Sequence, residues 1–181
     1  HRYGRRQRQM CIRDRNKTYE MIEIVEVTSR QQYRAFFQFP FELYRNCAQW
    51  VPPIAKEEMD IFDPQKNAVF EHAMARLFLA KKKGKVVGRI AAMINWVEIE
   101  ELKKTKVRFG WYDTIDDLEV SQKLIEAVEA VAIAEGMTYI EGPMGFSNMD
   151  KAGLLIHGYE HMNTMITSVS YTHLRAHETR I

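Results

Sequence analysis

The chain has 181 residues, with 26 Lys+Arg against 24 Asp+Glu and a formal net charge of +2. Its 46% hydrophobic content suits a globular protein. No run of ~18 apolar residues occurs, so no membrane-spanning helix is expected.

The charge is unevenly spread. Residues 5–15 read R-R-Q-R-Q-M-C-I-R-D-R, and residues 169–179 read V-S-Y-T-H-L-R-A-H-E-T. Each run resembles one arm of a transposase-based library adapter translated as codons, and the two arms stand in the expected orientation. Segments of this kind are set aside before fold reasoning. Residues 1–15 and 168–181 are therefore expected to be adapter-derived. Residues 16–20 are an unassigned leader, and 21–167 form one domain, incomplete at its C-terminal side. The alternative is a genuine basic arm and a His-bearing tail, which would point toward nucleic acid. Without the two ends, 18 basic and 22 acidic residues remain, net −4. Neither a nucleic-acid nor a membrane partner is then expected. Cys11 falls in the first run and leaves Cys47 alone, which predicts a reducing, cytoplasmic setting.

Residues 21–27, M-I-E-I-V-E-V, are rich in β-branched residues and predict a strand. Thr28 or Ser29 then caps a helix beginning near Arg30, with Tyr33, Phe36 and Phe37 at helical spacing. Pro40 is expected to break or restart that helix, and Pro52-Pro53 to close the region. Residues 54–72 read as a long irregular stretch with short helical turns. Residues 75–95 are the clearest hairpin, with Gly84 in its turn. The lysines around that turn are expected to be solvated. A short helix or insertion follows over 96–106, and a strand over 107–112. The best helix starts at Asp116 or Asp117, with Asp116 and Glu119 resembling a capping box. Its apolar stripe is Leu124, Val128, Val131 and Ala132, and Gly136 stops it. Residues 138–141 predict a strand ended by Gly142-Pro143, residues 149–157 a short helix, and Met165 the start of a further strand. A hairpin followed by helix-linked strands implies an α/β fold, a mixed sheet flanked by helices.

That element order resembles the GNAT acyltransferase superfamily over most of 21–167. Shorter stretches resemble a group of bacterial proteins that carry a GNAT-like domain in a much longer chain. They are V-P-P at Val51, N-A-x-F-E from Asn67, G-R-I-A-A at Gly88, R-F-G-W at Arg108, and G-P-M-G-F-S-N-M-D at Gly142. The resemblance implies a GNAT-like domain whose C-terminal half lies elsewhere in the same protein. It implies an N-acyltransferase that moves an acyl group from acyl-CoA to an amine by direct attack. A non-catalytic GNAT-like domain, binding a small molecule or supporting the other half, is the alternative. GNAT enzymes seat the CoA pyrophosphate on the helix after the fourth strand, where free N–H groups and a partial positive charge meet it. Their loop there is Gln/Arg-x-x-Gly-x-Gly/Ala. This chain has T-I-D-D-L-E-V-S-Q-K-L at 114–124, with no glycine and with Asp116, Asp117 and Glu119 where the anion would sit.

Several residues are candidates for chemistry. Phe109, Gly110 and Trp111 lie on the strand that faces the thioester in GNAT folds. A glycine there suggests a bulge whose backbone N–H meets the carbonyl, or else ordinary sheet packing. Gly142, Pro143, Gly145, Phe146, Asn148 and Asp150 form either a ligand loop at a strand's carboxyl end or a tight connection with Asn148 or Asp150 as helix cap. Glu141 and Asp150 are candidate general bases, and Tyr112 with Asp113 a candidate acid and base. The Tyr112–Asp113 pair is more simply read as exposed at a strand end. His157 and His161 are four apart, but no third ligand accompanies them, and no metal is expected.

Overall fold

A computed structural model describes residues 21–147, 150–155 and 160–162. The expectations for residues 1–20, for Asn148 and His157, and for a strand from Met165 lie outside them.

The elements are β1 (Ile22–Glu26), α1 (Arg30–Leu43), α2 (Ala55–Ile61), a 3-10 turn (Ala68–Glu71), β2 (Ala73–Lys82), β3 (Lys85–Asn95), α3 (Trp96–Leu102), β4 (Lys106–Thr114), α4 (Leu118–Ala134) and β5 (Tyr139–Glu141). The five strands form one sheet in the order β1-β2-β3-β4-β5. The first four are antiparallel neighbours, and β5 joins β4 in parallel. Side-chain alternation along β2 and β3 supplies two cores. Phe78, Ala80, Ile90, Ala92 and Ile94 face α4 with Val120, Leu124, Val128 and Val131. Leu77, Leu79, Ala91 and Met93 face the other way, with Phe36 and Phe37 of α1 and with Phe62 and Phe146.

The hairpin turn is made by Lys83 and Gly84, both with positive φ, the mirror-image turn whose twist matches paired strands. One of its lysines is not simply solvated. Lys82 Nζ reaches Asp117 Oδ2 at 2.5 Å, with only 17% of its side chain exposed.

Ser29 caps α1, and Gln32 completes the reciprocal capping box. Pro40 does not break the helix, contrary to its reputation. Proline removes the hydrogen bond to the carbonyl four residues back, which here belongs to Phe36. That carbonyl accepts from Arg89 Nη1 of β3 at 3.0 Å. The orphaned acceptor is thus satisfied across the core, and α1 runs through to Leu43.

Two further expectations change. The short helical turns expected over residues 54–72 are present as α2 and the 3-10 turn, and they leave less of the stretch irregular than expected. Residues 150–155 hold no helix, because the chain folds back there and Gly153 N–H donates to the Pro143 carbonyl at 2.8 Å.

Candidate functional site

The pairing of β3 with β4 slips by one residue. Arg89 faces Asp113 and Ala91 faces Gly110, so Trp111 and Tyr112 together stand opposite Ile90. Trp111 has φ +45°, unusual for a residue with a side chain. This is a β-bulge, which bends a strand and turns part of its backbone out of the ladder. β5 pairs β4 only at Lys106–Arg108. Beyond Arg108 the two strands part, and a cavity of about 70 Å³ lies by the bulge, room for about two waters. Gly110, Trp111, Tyr112 and Asp113 of β4 line it. Its other walls are Pro40 of α1, Trp50, Val51 and Pro53, Glu58 of α2, Arg89, and two stretches after β5.

The segment after β5 crosses β4 closely. Met144 N–H donates to the Phe109 carbonyl at 2.8 Å. A Cβ on Gly110 would overlap the Met144 carbonyl, and one on Gly142 would overlap the Phe109 carbonyl and ring. These two glycines are what allow the crossing.

Of the residues singled out from sequence, Gly110, Trp111, Tyr112, Asp113 and Pro143 line the cavity. Phe109 packs toward the α4 core instead. Gly142, Gly145, Phe146 and Asp150 shape the crossing segment without lining the cavity. Asp150 Oδ2 accepts from Ser147 N–H at 2.8 Å, and a Cβ on Gly145 would overlap Asp150. The Phe146 carbonyl accepts from Arg108 Nη1 at 2.6 Å. Glu141 lies away from the cavity, engaged with Lys106 at 2.6 Å and Arg108 at 3.3 Å. Burial pushes its carboxyl up, but those two cations together outweigh burial and hold it below the usual range.

Tyr112 and Asp113 are not an exposed pair: both are buried, and they point apart. The Tyr112 hydroxyl meets Ser121 Oγ of α4 at 2.5 Å, and burial raises its pKa. Asp113 takes Arg89 Nε at 2.7 Å and the Tyr44 hydroxyl at 2.7 Å. Arg89 also lies over the Phe36 ring, 5.0 Å from its centroid.

Two charged residues at the cavity escaped sequence reasoning. Glu58 is 8% exposed. It accepts from Trp111 Nε1 at 2.5 Å and from Lys151 Nζ at 2.7 Å. The signal for Glu58 was the A-K-E-E start after Pro53, since acidic residues favour a helix's first turn. Lys151 carried no local signal.

The resemblance would seat a pyrophosphate at the start of α4, and the residues there do not fit one. Three residues link β4 to α4, none of them glycine. Asp117 is the cap, rather than Asp116 in a capping box, and its Oδ1 takes the Glu119 and Val120 amides at 3.0 and 3.4 Å. A carboxylate thus already occupies those donors, with Lys82 as its counter-ion. The Lys82 hydrogen bond outweighs burial and holds the Asp117 carboxyl below its ordinary value. A carboxyl depressed by folding stabilises fully above its unfolded value, about 3.9, and that contribution is lost as pH falls through the folded value. In urea titrations, Asp117→Asn should be less stable than the unmodified chain at pH 6. The gap should close as the pH drops toward 3, and a gap independent of pH would count against the ion pair.

Among the described residues, no group of three or more His, Cys, Asp or Glu is arranged to hold a metal ion. No described helix is long and apolar enough to cross a membrane.

No family model matches the chain. It is 34% identical over 132 residues to Protein YghO of Escherichia coli K12, covering 73% of this chain and 34% of that protein. It is 30% identical over 140 residues to a protein named bacterial ceramide synthase from Caulobacter vibrioides, covering 77% of this chain and 36% of that protein. The chain therefore spans about a third of the length of these relatives. Among solved structures it is similar to a tandem GNAT protein from the clavulanic acid biosynthesis pathway. The TM-score is 0.52 at 10% identity, covering 74% of this chain and 40% of that one. The fold is GNAT-like: a mixed α/β sheet flanked by helices.

Proposed function

We propose that this chain is the GNAT-like part of an N-acyltransferase, which moves an acyl group from an acyl thioester, acyl-CoA by class, to a primary amine. The observation that carries this reading is the β4 bulge at Trp111, beside the cavity where β4 parts from β5. A backbone N–H held toward the thioester carbonyl stabilises the charge that develops on its oxygen. One such donor in a dry site contributes roughly 10²–10³ in rate. The amine attacks directly, with no covalent enzyme intermediate.

The relative named bacterial ceramide synthase supports the acceptor class, because a ceramide is the N-acyl form of a long-chain amino alcohol. Trp50, Val51, Pro53 and Leu154 put apolar side chains beside the cavity, in keeping with an acceptor whose ammonium enters and whose alkyl chain stays outside. In this reading the remainder of a longer protein completes the donor site, since the α4 N-terminus is already capped. A thioester donor and the thiol of Cys47 both suit a reducing compartment, so we propose a cytoplasmic setting.

A second reading has its own support. The carboxylate cap on α4 favours a non-catalytic GNAT-like domain that does not bind CoA and serves the rest of the protein. Turnover separates the two. The full-length protein carrying this sequence, given palmitoyl-CoA and hexadecylamine, should yield amide and free thiol at a rate that Gly110→Ala lowers in the first reading, whereas in the second Gly110→Ala leaves any turnover unchanged.

A further inference from the structure

Glu58 is a charged side chain in a place where charge is costly. Only 11% of its side chain is exposed, and a buried carboxylate needs partners to offset lost hydration. Its two partners differ in kind. Trp111 belongs to the bulge, and its indole N–H holds one carboxylate oxygen at 2.5 Å. Lys151 lies in the segment after β5, and its ammonium meets the other oxygen at 2.7 Å. The Lys151 side chain is 34% exposed, three times the figure for Glu58. The carboxylate is therefore the enclosed member of the pair, and the ammonium is the member nearer to solvent. Both line the cavity, along with apolar Trp50, Val51, Pro53 and Leu154 and the Arg89–Asp113 ion pair. A carboxylate that already holds an ammonium, with apolar side chains beside it, is matched to an ammonium on an apolar carrier.

We infer that Glu58 is the acceptor-side carboxylate, binding a primary alkylammonium in the place taken by Lys151 Nζ and accepting its proton. The binding half stands on the cavity alone, whereas the proton step rests on the acyl-transfer reading. In that step the ammonium gives one proton to Glu58, and the freed nitrogen lone pair attacks the thioester carbonyl carbon. The C–N bond forms and the carbonyl electrons move onto oxygen. They return as the C–S bond breaks, the thiolate leaves with its electron pair, and it takes the second nitrogen proton. Amide and thiol result, and Glu58 passes its proton to water. The link from Glu58 to the Trp111 side chain ties the acceptor group to the bulge.

The test is calorimetric titration of the full-length protein with n-octylammonium chloride, with 1-octanol as the uncharged control. Octylammonium should bind, and Glu58→Gln should weaken it about tenfold or more while leaving octanol unchanged. A residue that only supported the fold would affect both ligands. Lys151→Met removes the internal competitor and should tighten octylammonium, which keeps the test open if Glu58→Gln does not fold. No octylammonium binding, equal affinity in Glu58→Gln, or weaker binding in Lys151→Met would each overturn the site. In turnover, Glu58→Gln should lower kcat/KM for the amine about 100-fold, the scale of a lost general base. If octylammonium binds as expected but no amide ever forms, the ammonium site stands and the acyl-transfer reading falls.

Discussion

Replacing Arg89 by methionine is expected to lower folding stability by about 3–5 kcal/mol, the range for removing one partner of a buried ion pair. Arg89 and Asp113 have side chains that are each 7% exposed, and they meet at 2.7 Å. Methionine roughly preserves volume, so the cost is electrostatic rather than a cavity. Asp113 would keep only the Tyr44 hydroxyl of the contacts described above, and the Phe36 carbonyl freed by Pro40 would lose its donor. Helix α1 should then fray near Pro40, which borders the cavity. Arg89→Met combined with Asp113→Leu should recover much of the loss, because removing both charges also removes the uncompensated one. Urea unfolding of the two single variants and the double variant measures this directly. Additive losses would contradict the coupling.

Gly110→Ala is expected to cost about 1–3 kcal/mol, the usual range for forcing extra volume into a packed site. The new methyl would overlap the backbone carbonyl of Met144 and press on Met93 Cε. Backbone yields less readily than a side-chain end, so the crossing segment must lift off β4. That movement separates Pro143 and Met144 from the bulge and opens the cavity to water, which weakens any electrostatic stabilisation inside it. Catalysis should therefore fall further than stability. Gly84→Ala is the useful contrast. Its φ of +76° makes alanine strained, but nothing lies within 4 Å. It should cost about 1–2 kcal/mol, the left-handed penalty, and leave the cavity intact. Equal effects of the two variants on turnover would contradict a role for the close crossing.

Local features carried most of the fold. Lys83-Gly84 between the apolar run Leu77–Ala80 and the β-branched Val86-Val87 reads as a hairpin turn, and Leu124, Val128, Val131 and Ala132 fall on one face of a helix. Pro40 misled because its penalty was met by Arg89, 49 positions away, a compensation no window of sequence contains. The Tyr112–Asp113 pair misled for a related reason. Its burial depends on Ser121 on one face and on Arg89 with Tyr44 on the other. Gly110 pointed to this place because a glycine within a strand marks a bulge or a close backbone approach, and β4 has both, the bulge at Trp111 and the Met144 carbonyl against Gly110. Glu58 and Lys151 are 93 residues apart and meet only once β4 and β5 part. Neither is distinguishable in sequence from a surface charge.

The decisive measurement is the stoichiometry of turnover. The full-length protein carrying this sequence would be given palmitoyl-CoA and hexadecylamine, with amide, free thiol and acylated protein each quantified by mass spectrometry. Direct attack requires one thiol for each amide and no acyl group left on the protein, and attack at the β4 bulge requires that Gly110→Ala lower both products together. Thiol released without amide, or an acyl group retained on a protein side chain, would contradict it.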